Sequence, residues 1–106
     1  MKMKFFVSGF SESDAVRKVR DSLSEIIDDK NYIVVESEKY WKIEDIYIVL
    51  TAISDMNDSI ERLLHHYADN WLSFGDPVEE FLASDHNKDC HFMREDFIMV
   101  QLFLRL

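Results

Sequence analysis

The chain has 106 residues, of which 47% are hydrophobic and 31% are charged. These proportions are ordinary for a globular protein and exclude a disordered or fibrous chain. The length predicts one domain over residues 1–106, because it suffices for one hydrophobic core. A lone cysteine excludes an internal disulfide, and no apolar run approaches the roughly 20 residues of a membrane span, so we expect a cytoplasmic protein.

The net charge is −9 at pH 7, and it is unevenly distributed. Residues 1–54 carry 8 basic and 10 acidic side chains, whereas residues 55–106 carry 4 basic and 11 acidic ones. A negative field repels phosphate backbones, so we expect no direct binding of nucleic acid and no association with a membrane. The same field speeds encounter with a cationic protein surface, which makes a basic protein the expected partner.

The first half of the chain predicts a strand, a helix and two further strands. Apolar residues alternate over 3–10, and Ser11 or Ser13 then caps a helix. The helix carries an apolar stripe at helical spacing, made of Val16, Val19, Leu23, Ile26 and Ile27. Residues 32–40 and 45–53 predict two strands joined near Trp41 by a polar turn that leaves the register open.

The second half predicts two helices and a closing strand. Asp58 and Glu61 have the spacing of a capping box at a helix start. The apolar stripe of that helix consists of Ile60, Leu63, Leu64, Tyr67, Trp71 and Leu72. Asp76-Pro77 predicts a short helix, because proline suits the first helical position and carboxylates favour the positive end. Residues 97–106 alternate as a strand with Ile98, Val100, Leu102, Leu104 and Leu106 on one face.

This order of elements predicts an α+β sandwich that resembles the ferredoxin-like type. We expect a β-α-β-β-α-β order with an antiparallel four-stranded sheet, two long helices on one face and a short extra helix before the last strand. The open face of that sheet would then carry Phe6, Phe97, Met99 and Phe103. Such an outward cluster favours an interface with a partner or in a homodimer, or else additional core within the chain.

The loop that precedes the last strand resembles the calcium loop of EF-hand proteins. Oxygen ligands follow the spacing of that family at Asp85, Asn87, Asp89 and Asp96. Cys90 stands where the family has glycine, however, and Asp96 replaces the longer glutamate of the last position. We therefore expect no metal site in this loop.

Other catalytic and metal-binding patterns are incomplete. His86, Cys90 and His91 offer three ligands where zinc prefers four. Cys90 is adjacent to His91 in the chain, and neighbouring residues seldom direct their side chains at each other, so the two do not form a catalytic dyad. Gly9 and Gly75 are isolated, which excludes a glycine-rich phosphate loop. We expect no enzymatic activity, no catalytic residue and no cofactor.

A small acidic domain without a catalytic pattern is typical of an inhibitor that binds a basic protein. We expect the class of bacterial immunity proteins, which neutralise nuclease-type toxins by covering a cationic surface. The expected partner-binding residues lie where negative charge is densest, at Trp71, Phe74, Asp76, Glu79, Glu80, Asp85 and Asp89. Two alternatives stay open: a homodimeric ferredoxin-like enzyme or sensor of small molecules, and a phage-type inhibitor of a nucleic-acid enzyme.

Overall fold

The computed structural model describes residues 1–56 and 58–105. Within these ranges the chain forms two α-helices, a 3-10 turn at Asp29–Asn31 and six strands. The elements are β1 Lys2–Ser8, α1 Glu12–Ser24, β2 Tyr32–Lys39, β3 Ile46–Ile53, α2 Ile60–Tyr67, β4 Leu72–Phe74, β5 Glu80–Ser84 and β6 Phe97–Phe103. Leu106, predicted at the end of the last strand, lies outside the described residues. No helix in the described ranges has the length and hydrophobicity needed to cross a membrane.

The strands form one antiparallel sheet in the order β2-β3-β1-β6-β5-β4. The fold is thus α+β, but the predicted four-stranded ferredoxin-like sheet is wrong, because β5 and β4 extend the sheet beyond β6. The short helix predicted at Asp76-Pro77 is also wrong. Gly75 adopts a φ of 99°, which reverses the chain at low steric cost, and the Glu79 N–H donates to the Phe74 carbonyl at 2.9 Å. Residues 75–78 are therefore the turn of a β4–β5 hairpin.

Serine side chains begin both helices. The Ser11 hydroxyl accepts a hydrogen bond from the Asp14 N–H at 3.2 Å, and Ser59, not the predicted Asp58, does the same for Arg62 in α2. Helix α2 ends at Tyr67, because Ala68 is already extended with a φ of −152°. The predicted stripe is therefore too long, and Trp71 and Leu72 are not helical.

Both helices pack on one face of the sheet, where the main core lies. The fully buried members of this core include Met3, Phe5, Val7, Val19, Leu23, Val49, Leu63, Tyr67, Val100 and Leu102. The Ser22 hydroxyl donates to the Val19 carbonyl at 2.8 Å and lies 2.8 Å from the Tyr67 hydroxyl. Tyr67 therefore donates to Ser22 and links α2 to α1. Burial raises the pKa of Tyr67 well above its usual range.

Phe97 belongs to this core, so its predicted position on the opposite face is wrong. The pairing of β6 with β1 shifts by one residue, such that Met99 is opposite Phe6 while Phe97 is opposite Val7. A bulge of this kind reverses the alternation of side chains on one strand. The ring of Phe97 consequently lies 5.8 Å from that of Phe5 and 5.5 Å from that of Tyr67, measured between centroids.

Candidate functional site

The sheet face opposite the helices, which we call the open face, carries a mixture of charged and apolar side chains. Cross-strand register places on it Lys2, Lys4, Phe6, Glu36, Glu38, Ile48, Leu50, Leu72, Phe74, Glu80, Leu82, Met99, Gln101 and Phe103. Of the four residues predicted there, Phe6, Met99 and Phe103 lie on this face. The additional strands also bring Phe74 and Glu80 onto it, because Phe74 is opposite Glu80 and Glu80 is opposite Phe103.

Phe6 is not accessible to a partner, although it points to the open face. The ring of Tyr40 packs against it with centroids 5.2 Å apart, and the Lys4 ammonium lies 5.7 Å from its centroid. Tyr40 in turn contacts Trp41, whose side chain is 83% exposed at the β2–β3 loop. The sequence signal for this exposed aromatic residue is a tryptophan in a polar turn. Trp41 was not among the predicted site residues.

The β4–β5 hairpin presents an exposed surface that combines apolar and acidic side chains. We call it the hairpin surface and define it as Leu72, Phe74, Asp76, Val78, Glu79, Glu80 and Leu82. Leu72 and Phe74 are 48% and 46% exposed, and Val78 is 39% exposed. Leu72 is directly opposite Leu82 on the neighbouring strand and on the same face as Phe74, so these three residues form an apolar strip, with Glu80 directly opposite Phe74.

The carboxylates of the hairpin surface form no ion pair. None of Asp76, Glu79 and Glu80 is paired with any residue in the part of the chain that the structure describes. Arg105 comes near them in the sheet, since the preceding Leu104 donates its N–H to the Glu79 carbonyl at 2.9 Å, but it is not paired with them either. Their charge is therefore not held in an ion pair at this edge of the sheet.

Asp85 and Asp89 lie at the other end of β5, away from the hairpin surface. Five residues of extended chain separate Glu80 from Asp85, which is a distance of roughly 16 Å. The loop around them is held by its own hydrogen bonds, in which Asn87 Oδ1 accepts from the Asp89 N–H at 3.1 Å and Ser84 Oγ accepts from the His86 N–H at 3.2 Å. The predicted acidic binding segment is thus divided into two separate groups.

Trp71, predicted as an anchor for a partner, is used inside the domain. Its indole N–H donates to the carbonyls of Leu64 and Ala68 at 3.0 and 3.1 Å. The Leu64 carbonyl also accepts from the Ala68 N–H at 3.1 Å, so the indole adds a second donor there and supplies a donor to the Ala68 carbonyl just beyond the end of α2. The half-buried ring also packs against the core, which makes Trp71 a structural residue.

The residues that resemble a calcium loop do not converge. Asp96 accepts a hydrogen bond from the Ser8 hydroxyl at 3.1 Å and lies 3.3 Å from the Lys18 ammonium. Asp85 instead follows β5, and its N–H donates to the Ile98 carbonyl. Among the described residues, no three His, Cys, Asp or Glu side chains are grouped so that they could hold a metal ion.

Cys90 and His91 have separate partners in the structure. Cys90 is buried beside Ala68 and Ala83, and this burial raises the pKa of its thiol, which disfavours the thiolate. His91 instead contacts Asp69. The backbone N–H of His91 donates to Asp69 Oδ1 at 2.6 Å, and the ring Nδ1 lies 2.9 Å from Asp69 Oδ2. The backbone hydrogen bond is the main cause of a lowered pKa at Asp69.

A groove of about 220 Å³ lies on the part of the open face formed by β2, β3 and β1. It is lined by Lys4, Glu36, Glu38, Ile48, Leu50 and Phe103. Sites for small organic ligands usually measure about 300–1,000 Å³. The groove is therefore small for the substrate pocket of an enzyme or sensor.

In comparisons with known proteins, no family model, no curated protein and no solved structure matches the chain. The function is consequently inferred from geometry and charge.

Proposed function

We propose that this chain is a protein-binding module whose hairpin surface docks on a basic surface of another protein. The observation that supports this proposal is the combination of exposed apolar side chains and carboxylates without an ion pair among the described residues, at one edge of the sheet. The class of partner that fits best is a nuclease-type toxin, which makes the chain an inhibitor of the immunity-protein kind.

The apolar strip supplies the contact area of the proposed interface. Protein interfaces commonly have an apolar centre with a polar rim, and aromatic residues are enriched among those that contribute most to binding. Phe74 lies near the centre of the hairpin surface, with Leu72 and Val78 to either side along the chain. It is therefore the expected anchor.

The carboxylates supply the attraction. A nuclease must bind a phosphate backbone, so its active surface is rich in lysine and arginine. Asp76, Glu79 and Glu80 would occupy positions on that surface where phosphates otherwise bind. Because none of the three forms an ion pair among the described residues, their field acts over the distance at which two proteins first meet and speeds association.

The two alternatives differ in how they fit this geometry. A small-molecule enzyme or sensor is disfavoured by the separate partners of Cys90 and His91. A phage-type inhibitor of a nucleic-acid enzyme would use the same hairpin surface, because such an enzyme is also basic. The identity of the inhibited enzyme distinguishes it from an immunity protein.

The test compares two triple variants against a panel of basic bacterial nuclease-toxin domains and phage-targeted nucleic-acid enzymes. The first variant changes Asp76, Glu79 and Glu80 to Lys. The second, with the same change in net charge, alters exposed glutamates elsewhere, Glu44, Glu61 and Glu95. We expect the wild type and the second variant to inhibit at least one enzyme of the panel, and the hairpin variant to associate with it at least about tenfold more slowly at low salt.

A variant without a change in charge separates the contribution of the Phe74 side chain from the electrostatic attraction of the carboxylates. Phe74→Ala removes an exposed side chain, so the domain should stay folded while binding weakens by about tenfold or more. Failure of the wild type to inhibit any member of the panel would contradict the proposal. Equal association rates for the two triple variants would remove the hairpin surface from the interface.

A further inference from the structure

The half of the open face formed by β2, β3 and β1 carries its charges in stripes. Strand β1 contributes two lysines and β2 contributes two glutamates, while the intervening β3 is apolar. The residues are Lys2 and Lys4, Glu36 and Glu38, and Ile48 and Leu50. One cross-strand row contains a member of each stripe, because Lys4 is opposite Leu50 and Leu50 is opposite Glu36.

These opposite charges do not satisfy one another within a chain. Strands β1 and β2 are two strand spacings apart, or roughly 10 Å, and the groove separates their side chains. Neither lysine and neither glutamate takes part in an ion pair within the ranges that the structure describes. The Lys4 ammonium instead lies over the ring of Phe6.

We propose that this striped half of the open face binds a second copy of the chain. A two-fold axis parallel to β3 and passing above it exchanges the positions of β1 and β2 between the copies. Lys4 of each copy then meets Glu36 of the other in the same row, and the Ile48 and Leu50 side chains of both copies are closed off from water. Such an interface is isologous, so every contact occurs twice, and the two sheets are aligned as in a β-sandwich.

The charge pattern favours a second copy over other occupants. Two molecules that each carry a net charge of −9 repel each other over most of their surfaces. In the row of Lys4, Leu50 and Glu36, however, the pattern is complementary to itself, because the two-fold axis places each lysine opposite the other copy's glutamate. A uniformly basic partner would be repelled by Lys2 and Lys4. A uniformly acidic partner would be repelled by Glu36 and Glu38.

The proposed dimer is independent of the proposed function. An interface three strands wide is at the small end of the range for specific protein interfaces, so we expect a dissociation constant in the micromolar range. The hairpin surface lies on the opposite half of the sheet, beyond β6, and stays exposed in both copies. Dimerisation and binding of a basic protein can therefore be tested separately.

The decisive experiment mixes two charge-reversal variants, Lys4→Glu and Glu36→Lys, and measures association by sedimentation velocity over a range of concentrations. Each variant alone places like charges opposite each other at both contacts, so its self-association should weaken by at least about tenfold. In an equimolar mixture both contacts become attractive, and a heterodimer should form at concentrations where either variant alone is monomeric. The double variant Lys4→Glu/Glu36→Lys should recover a homodimer.

Two further variants control for net charge. Lys88→Glu and Glu61→Lys make the same changes at exposed positions away from the striped half, and each should dimerise about as well as the wild type. A wild type that stays monomeric at every accessible concentration would overturn the proposal. So would a mixture of Lys4→Glu and Glu36→Lys that associates no better than its separate components.

Discussion

The two faces of the sheet differ although they are built from alternate residues of the same strands. Phe5 on the helix-covered face is fully buried between Val49 and Val100, its neighbours on β3 and β6. One residue earlier, Lys4 on the open face lies between Leu50 and Gln101, all three of which are partly exposed. The comparison shows that folding stability is concentrated on one face, which leaves the other face free to carry the combinations of charge and apolar area that recognition needs.

The largest expected effect is a difference in stability between two matched phenylalanines. Phe5→Ala should lower the free energy of unfolding by about 3–5 kcal/mol, because it leaves a cavity under the helices. Phe103→Ala on the open face should cost about 1 kcal/mol, since its side chain is only partly removed from water. Urea denaturation of the three proteins measures both values. Equal losses would show that the open face contributes to the core as much as the helix-covered face does.

The next prediction separates the two aromatic residues that the sequence places in one binding segment. Trp71→Phe should lower stability by about 1 kcal/mol, because the Ala68 carbonyl loses the indole donor while the Leu64 carbonyl keeps the Ala68 N–H, and binding of a partner should stay unchanged. Phe74→Ala should have the opposite profile, with stability retained and binding lost. The two variants are compared by thermal denaturation and by association measurements. Loss of binding with Trp71→Phe at full stability would restore Trp71 to the interface.

Tyr67 makes the stability of the helix-covered face depend on pH in the alkaline range. Its pKa is raised by burial, so the unfolded chain releases the phenolic proton before the folded one does. The stabilisation is complete below the ordinary tyrosine value of about 10 and is lost as pH rises beyond it, by up to about 1.4 kcal/mol per pH unit. Tyr67→Phe is less stable at neutral pH but should lack this alkaline loss. If the free energy of unfolding changed with pH in the same way for the wild type and Tyr67→Phe between about pH 9 and 11, this prediction would be contradicted.

The helix-covered face of the sheet is also the part of the fold that could be predicted from the sequence. The alternation of Met3, Phe5 and Val7 and the helical spacing of Val19 and Leu23 reflect the helix-covered face, and the structure places all five in the core. These patterns are regular because burial on one face selects every second or every third to fourth residue.

The hairpin was missed because its local signals are ambiguous. Strand β4 has three residues, too few for an alternating pattern, and proline followed by two glutamates indicates a helix start as readily as a turn. Phe97 was misplaced because a bulge shifts one residue without a glycine or proline to mark it. The row that joins Phe74, Glu80 and Phe103 depends on the order of the strands, which composition and periodicity do not contain.

The smallest expected effect concerns the contact between the β5–β6 loop and the residues that follow α2. Asp69 accepts hydrogen bonds from the backbone N–H of His91 and contacts its ring, and the pKa of Asp69 is lowered from 3.8 chiefly by the backbone donor. A carboxyl group whose pKa is lower in the folded chain stabilises the fold at pH values above its pKa in the unfolded chain. This stabilisation is lost as the pH falls through the pKa of the folded chain. Asp69→Asn should therefore lower the melting temperature slightly at pH 7 and not at strongly acidic pH.

His91→Ala distinguishes the backbone donor from the ring. The alanine keeps the N–H that donates to Asp69 Oδ1, so the carboxyl of Asp69 should still titrate below 3.8 in this variant. The titration is followed by the carboxyl carbon shift of Asp69 in NMR spectra, with His86→Ala as the control for removing an exposed imidazole from the same loop. A pKa that returns to the ordinary value in His91→Ala alone would show that the ring, and not the backbone, holds the carboxylate. In that case the position of this loop would depend on the contact between the side chains of His91 and Asp69.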